Sequence, residues 1–247
     1  MNLLAPSRLL LLTLALVVAG CTPSSAPAPS PTSAGTVSAQ APEGSVFAEA
    51  AVEDSAFVNR ADRARNFGSE TAPNTILEIV DFSCPTCRRF FEEKADSLKT
   101  EWVDSGEARI VHIMSPLPQL LRSWHGASAA VCAAGLGGQE AYLAMTRQLY
   151  LEQEEWRHRG DPLPQLTGFA EAAGLPAADF RSCLLENRAA PLILRDLRVI
   201  AELRVSRGLE ILGTPTFVIN GQEAFYGVQP MSMFRESVAR TSSEGGS

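Results

Sequence analysis

The sequence has no excess of positive charge: 21 Lys and Arg stand against 28 Asp and Glu, a net charge of −7 over 247 residues. That balance excludes a nucleic-acid partner held by phosphate attraction. There is no Gly-rich loop of the kind that cradles phosphates, and no internal repeat. The N-terminal apolar run, Leu9–Val18, is too short to cross a bilayer as a mature helix. Histidine is scarce, with His112, His125 and His158 the only three. Together with Cys132 and Cys183 they make no second close pair of metal-ligand type. A zinc site needs four ligands, and Cys84 and Cys87 alone supply two, so zinc is disfavoured. The histidines read as ordinary surface or core residues, and Trp102, Trp124 and Trp156 as packing residues.

What the chain does have is concentrated at Ile76-Leu-Glu-Ile-Val-Asp-Phe-Ser-Cys84-Pro85-Thr86-Cys87-Arg-Arg-Phe-Phe91. The first half is a short apolar run rich in β-branched residues and reads as a buried strand. The second half opens as a helix, with Pro85 just inside the start and a Phe90, Phe91, Ala95, Leu98, Trp102 stripe behind it. A cysteine at a helix N-terminus meets unsatisfied backbone N–H groups and the positive end of the helix dipole. Both favour thiolate, so Cys84 is expected to be the attacking sulfur. Arg88 and Arg89 add positive charge beside it. Cys87, one turn on, is placed to resolve a mixed disulfide.

Residues 70–91 resemble the active-site segment of thioredoxin-fold disulfide oxidoreductases related to DsbA. A second match lies at Gly213-Thr214-Pro215-Thr216-Phe217-Val218-Ile219-Asn220-Gly221. The resemblance covers about residues 70–240. It implies an α/β thioredoxin fold, a central mixed sheet flanked by helices, with Pro215 cis and lying against the cysteine pair. It further implies that Thr214 tunes Cys84 and that Glu78, beneath the site, relays protons for Cys87. Asp81 matches an acidic position of the family and is given no role. No metal or organic cofactor is implied, only the redox-active pair Cys84–Cys87.

Taken in order, residues 1–20 read as a signal peptide. Val17-Val18-Ala19-Gly20-Cys21 resembles a lipobox, implying lipid on Cys21 and attachment to a bacterial membrane. Residues 21–45, rich in Pro, Ser and Ala, form a disordered tether. Residues 46–242 are long enough for one packed domain, and 243–247 form a disordered tail. Residues 46–66 read as a short helix or strand at the sheet edge. Strands are expected at 75–82, 108–114, 216–220 and 224–227, with Asn220-Gly221 as a hairpin turn. Helices are expected at 85–105 and 231–240. Between them, at about 120–210, lies an insertion of four or five helices near 121–134, 139–154, 165–173, 177–187 and 190–207. Glu152-Gln-Glu-Glu155 reads as a solvated helix face.

Setting Cys21 aside leaves four cysteines, an even number. An exported, oxidising setting permits a structural disulfide between Cys132 and Cys183, the other reading being two buried free thiols. The expectation is a tethered, monomeric extracytoplasmic oxidoreductase. It would introduce disulfides into unfolded or partly folded exported proteins with cysteines and be served by a membrane redox partner. A reductase or isomerase with the same site ranks next. Outside enzymes, a thiol-dependent metal chaperone or binding module remains open.

Overall fold

The structure, a computed structural model, describes residues 46–120 and 122–244. The expected signal peptide, Cys21 and the tether lie outside the described residues, as does the end of the tail, 245–247. Five strands form one mixed sheet in the order β1-β3-β2-β4-β5. β2 (Asn74–Val80) and β3 (Ala108–Met114) are parallel; β1 (Asn66–Phe67), β4 (Thr216–Ile219) and β5 (Glu223–Tyr226) pair antiparallel to their neighbours. β2 is central because both of its faces are apolar. Ile76 packs with Ile110, Phe217, Phe90 and Phe234 on one side, and Ile79 with Val111, Val218 and Ile200 on the other. Side chains alternate along a strand, so Glu78 shares the face of Ile76 and Val80. The turn after β4 has positive φ at Asn220 and Gly221 (51° and 68°), the conformation Asn-Gly adopts at least cost.

The chain leaves β2 into α2 (Pro85–Glu93), α3 (Ala95–Leu98) and a π-helical turn, Lys99–Val103. One helix was expected through residue 105. The path breaks at Lys94 (φ −133°), yet Phe90, Leu98 and Trp102 are all buried in the cluster on the sheet. Residues 46–66 resolve into a 19-residue helix, α1 (Val46–Ala64), followed by β1 at the sheet edge.

The insertion comprises α4 (Ser123–Leu151), α5 (Gln153–Arg157), α6 (Leu163–Ala172), α7 (Ala177–Leu185) and α8 (Ala190–Ser206). α4 kinks at Gly138 (φ 70°, ψ −156°), a conformation open only to glycine, within the expected break at 135–138. At Gly135 a Cβ would lie 2.1 Å from the Phe57 ring, so the missing side chain is what lets α1 pack on α4. The insertion core, with Phe57, Tyr142, Met145, Trp156 and Phe180, is continuous with Phe82, Cys84 and Cys87. Cys132 of α4 and Cys183 of α7 are bonded, with 6.0 Å between their Cα atoms.

The last helix, α9 (Met231–Glu244), runs past the end expected at Arg240. Thr241 is buried there and accepts a hydrogen bond from Asn220 Nδ2 at 2.9 Å, while the Ser242 hydroxyl donates to Asn74 Oδ1 at 2.7 Å. These two contacts tie the final turn to the β4 end of the sheet, which polar composition alone did not suggest.

Candidate active site

Four residues link β2 to α2, and Asp81 organises them. One carboxylate oxygen accepts from the Ser83 N–H at 2.8 Å. The other accepts from the Leu117 N–H at 2.8 Å and the Ser123 hydroxyl at 2.6 Å. The Cys84 N–H donates to the Asp81 carbonyl at 3.0 Å, closing the turn. Cys84 is then the N-cap of α2, in extended conformation (φ −81°, ψ 120°), with Pro85 as the first helical residue.

Cys84 is 7% exposed and Cys87 2%, and both are free thiols. The Cys84 thiol donates to the Thr214 carbonyl at 3.2 Å. Its pKa is lowered to about 5, first by the hydrogen bond from the Cys87 thiol, against the opposing cost of burial. The Thr214 side chain and the N–H groups of Cys87 and Thr86 add to the lowering. Cys87 moves the other way, well above its ordinary value, because it is fully desolvated and faces Cys84. Arg88, expected to help, is paired with Glu92 at 2.8 Å on the exposed side of α2.

The opposite wall is the Thr214–Pro215 peptide, which is cis. Thr214 is buried, and its hydroxyl has no partner of hydrogen-bonding geometry in the dithiol form, although it lies near enough to both sulfurs to favour their ionisation. The Pro215 carbonyl accepts from the Gly227 N–H at 2.9 Å, fixing the wall to the end of β5.

Glu78 lies on β2 opposite His112 of β3 in the parallel register. Its Oε2 is 3.4 Å from His112 Nε2, and His112 Nδ1 is 2.7 Å from the buried Tyr142 hydroxyl. Glu78 and His112 both line a cavity of about 130 Å³ whose other walls include Phe91, Leu98 and Tyr150. Glu78 thus sits beneath α2 with its carboxylate directed at an imidazole.

A family model described as Thioredoxin matches residues 60–234. The chain belongs to this thioredoxin family. Among solved structures, oxidised BdbD from Bacillus subtilis superposes on this thioredoxin-family chain with a TM-score of 0.59 at 15% identity, covering 72% of this chain and 92% of that one. α-DsbA1 from Wolbachia pipientis gives 0.58 at 18%, covering 73% and 91%. A thioredoxin-like oxidoreductase from Silicibacter pomeroyi gives 0.54 at 22%, covering 75% and 95%. These likenesses are of fold: a thioredoxin sheet carrying a helical insertion of the DsbA type. Two curated relatives are the Na(+)/H(+) antiporter NhaA 1 of Salinispora arenicola, 30% identical over 69% of this chain and 24% of its own length, and NhaA 3 of Salinispora tropica, 30% identical over 75% and 26%. The chain therefore spans about a quarter of the length of the curated relatives it matches. Among the described residues no helix is long and apolar enough to cross a membrane.

The thioredoxin-family site brings Cys84, Cys87, Thr214 and Pro215 together, Glu78 faces His112 across the neighbouring cavity, and Cys132 and Cys183 are bonded within the insertion. Two of its residues escaped the sequence. Asp81, given no role, holds the loop that carries Cys84. Gln153, assigned to a solvated face, is completely buried and bonds to that loop. The available signal was an uncharged residue inside an acidic run, three positions before a tryptophan.

Proposed function

We propose that this domain is an extracytoplasmic thiol–disulfide oxidoreductase that passes a disulfide from Cys84–Cys87 to exported proteins carrying cysteines. The observation that carries the reading is the placement of the pair: Cys84 caps α2 with its thiol 3.2 Å from the carbonyl of the cis Thr214–Pro215 peptide, and Cys87 is buried one turn on, which lowers the first thiol and raises the second. In the oxidised form a client thiolate attacks Cys84 Sγ. The Cys84–Cys87 bond breaks, and Cys87, whose thiol form is favoured, takes a proton. A second client thiolate then attacks the client sulfur of the mixed disulfide. Cys84 leaves as a stabilised thiolate, and two electrons have passed from client to enzyme. Thr214 and Pro215 form the wall against which the client lies, and Glu78 handles the proton at Cys87. The pair is the only redox group required, and a quinone-linked membrane partner would reoxidise it.

The low pKa also favours oxidation over reduction, because it stabilises the dithiol form. With a pKa of about 5, ionisation at pH 7 favours the reduced state by about 3 kcal/mol, or about 60 mV on a two-electron couple. Thioredoxin and DsbA differ by about 150 mV, so ionisation of Cys84 covers a substantial part of the distance. The domain is read as a monomer, held at a membrane by lipid on Cys21. The test is the reduction potential of the pair in glutathione buffers, with turnover of a dithiol peptide. A value toward about −120 mV is expected; one near about −270 mV would make the domain a reductase, and a pair that does not cycle would leave a binding module.

A further inference from the structure

The helical insertion grips the redox loop through one side chain. Gln153 opens α5 where the chain breaks after α4, and it is 0% exposed. Its Nε2 donates to the Phe82 carbonyl at 2.7 Å and to the Cys84 carbonyl at 3.1 Å. Its Oε1 is buried without a partner. The two carbonyl acceptors fix which end of the amide faces the loop, since the reverse orientation would set oxygen against oxygen. An unpartnered buried amide oxygen costs about 1–3 kcal/mol, so a hydrophobic residue of this size would suit the insertion core better if packing were the only demand. Trp156, on the same short helix, is also fully buried and donates Nε1 to the Leu149 carbonyl at 2.8 Å, which locks α5 against the end of α4.

We propose that Gln153 is a positioning residue for thiol–disulfide exchange, through which the helical insertion holds the redox loop in the geometry that activates Cys84. The Cys84 carbonyl accepts both from Gln153 and from the Arg88 N–H at 3.1 Å, so the side chain supports the first turn of α2 from outside. With the Phe82 and Cys84 carbonyls held on the insertion side, the loop presents the Cys84 sulfur to Thr214 and to the N–H groups at the helix start. Gln153 touches no sulfur and acts through Cys84. The inference rests on the proposed redox role of that residue and deepens it.

The test uses the full chain, reduced, with Gln153→Leu, Gln153→Glu and, as a stability control, Leu166→Ala, which opens a cavity on α6 in the same insertion core without removing a hydrogen bond to the loop. The readouts are the Cys84 ionisation curve from thiolate absorbance, the rate of Cys84 alkylation by iodoacetamide, and the melting temperature. Gln153→Leu is expected to raise the Cys84 midpoint and to slow alkylation at about pH 4, below that midpoint, by roughly 5- to 10-fold, the weight of a lost hydrogen bond to the loop. Gln153→Glu, which as a carboxylate donates nothing and adds negative charge, is expected to slow it further near neutrality. Its deficit should narrow as acid restores an O–H donor. Leu166→Ala should lower the melting temperature with Cys84 unmoved. An unchanged Cys84 curve in Gln153→Leu overturns the proposal, as does an equal shift in Leu166→Ala. Alkylation needs no client, so a chain that fails to oxidise dithiol peptides would sink the proposed function and leave this result standing.

Discussion

At Cys84 and Cys87 one turn of helix separates two opposite sulfur environments, and the difference can be tested by deletion. Cys84→Ala should abolish exchange, whereas Cys87→Ala should accumulate mixed disulfides with clients, seen as reducible adducts on non-reducing gels. Equal residual activity in the two variants would reverse the assignment of nucleophile and resolver. The same split sets a pH dependence. Cys84 has a lower pKa folded than unfolded, so its contribution to the reduced form is complete above the unfolded value of about 9. That contribution shrinks as pH falls and vanishes below about 5. The oxidised form has no such contribution, its sulfurs being bonded to each other. The melting temperature of the reduced protein relative to the oxidised one should therefore drop steadily from pH 7 to pH 5 and level off below. A difference that stays constant over that range would contradict the lowered Cys84 thiol. What the sequence revealed at this scale was chemistry carried by position, a cysteine at a helix start. Gln153 and Asp81 were hidden because their roles depend on which backbone groups a fold brings within 3 Å.

Among the elements, β2, β3 and the β4–β5 hairpin were legible because alternation and an Asn-Gly turn are local signals. The break at Lys94 and the length of α1 were not, since both answer to packing partners distant in sequence. One such partner set is buried and charged. Arg65, after α1, makes a two-pronged ion pair with Asp196 of α8 (one contact at 2.8 Å) and donates to the His112 carbonyl of β3 at 2.7 Å. Asp196 also accepts from the Met114 N–H at 2.8 Å. α1, α8 and β3 meet at this pair, and both side chains are 1% exposed. Its Coulomb attraction is largely offset by desolvation, so its net worth is small, but a single break strands a charge. Arg65→Met is expected to cost about 3–5 kcal/mol in urea unfolding, and Arg65→Met with Asp196→Leu to recover much of that. A double variant no more stable than the single one would mean that hydrogen bonding to β3, rather than charge, dominates.

For the whole molecule, the arrangement to explain is a thioredoxin sheet whose active loop is held from one side by its own cis-proline wall and from the other by inserted helices. The resemblance made the sheet and the insertion predictable, since two separated motifs fix where the chain must leave and re-enter the sheet. It did not show that the insertion core runs without interruption into Cys84 and Cys87. That continuity puts the Cys132–Cys183 bridge in the same core as Cys84 and Cys87. The bridge spans a separation of 51 residues and joins α4, whose first residue Ser123 bonds Asp81, to α7. In the chain-entropy model it restricts the unfolded chain by about 4 kcal/mol. Cys132→Ser with Cys183→Ser should lower stability by roughly 2–4 kcal/mol in urea unfolding while leaving the Cys84 ionisation curve in place, provided the folded state keeps its loop contacts. If the Cys84 curve shifts together with stability, the bridge is part of the machinery that positions the loop. If stability does not move, the two cysteines act as buried thiols in solution, and alkylation of the denatured, unreduced chain would then modify both.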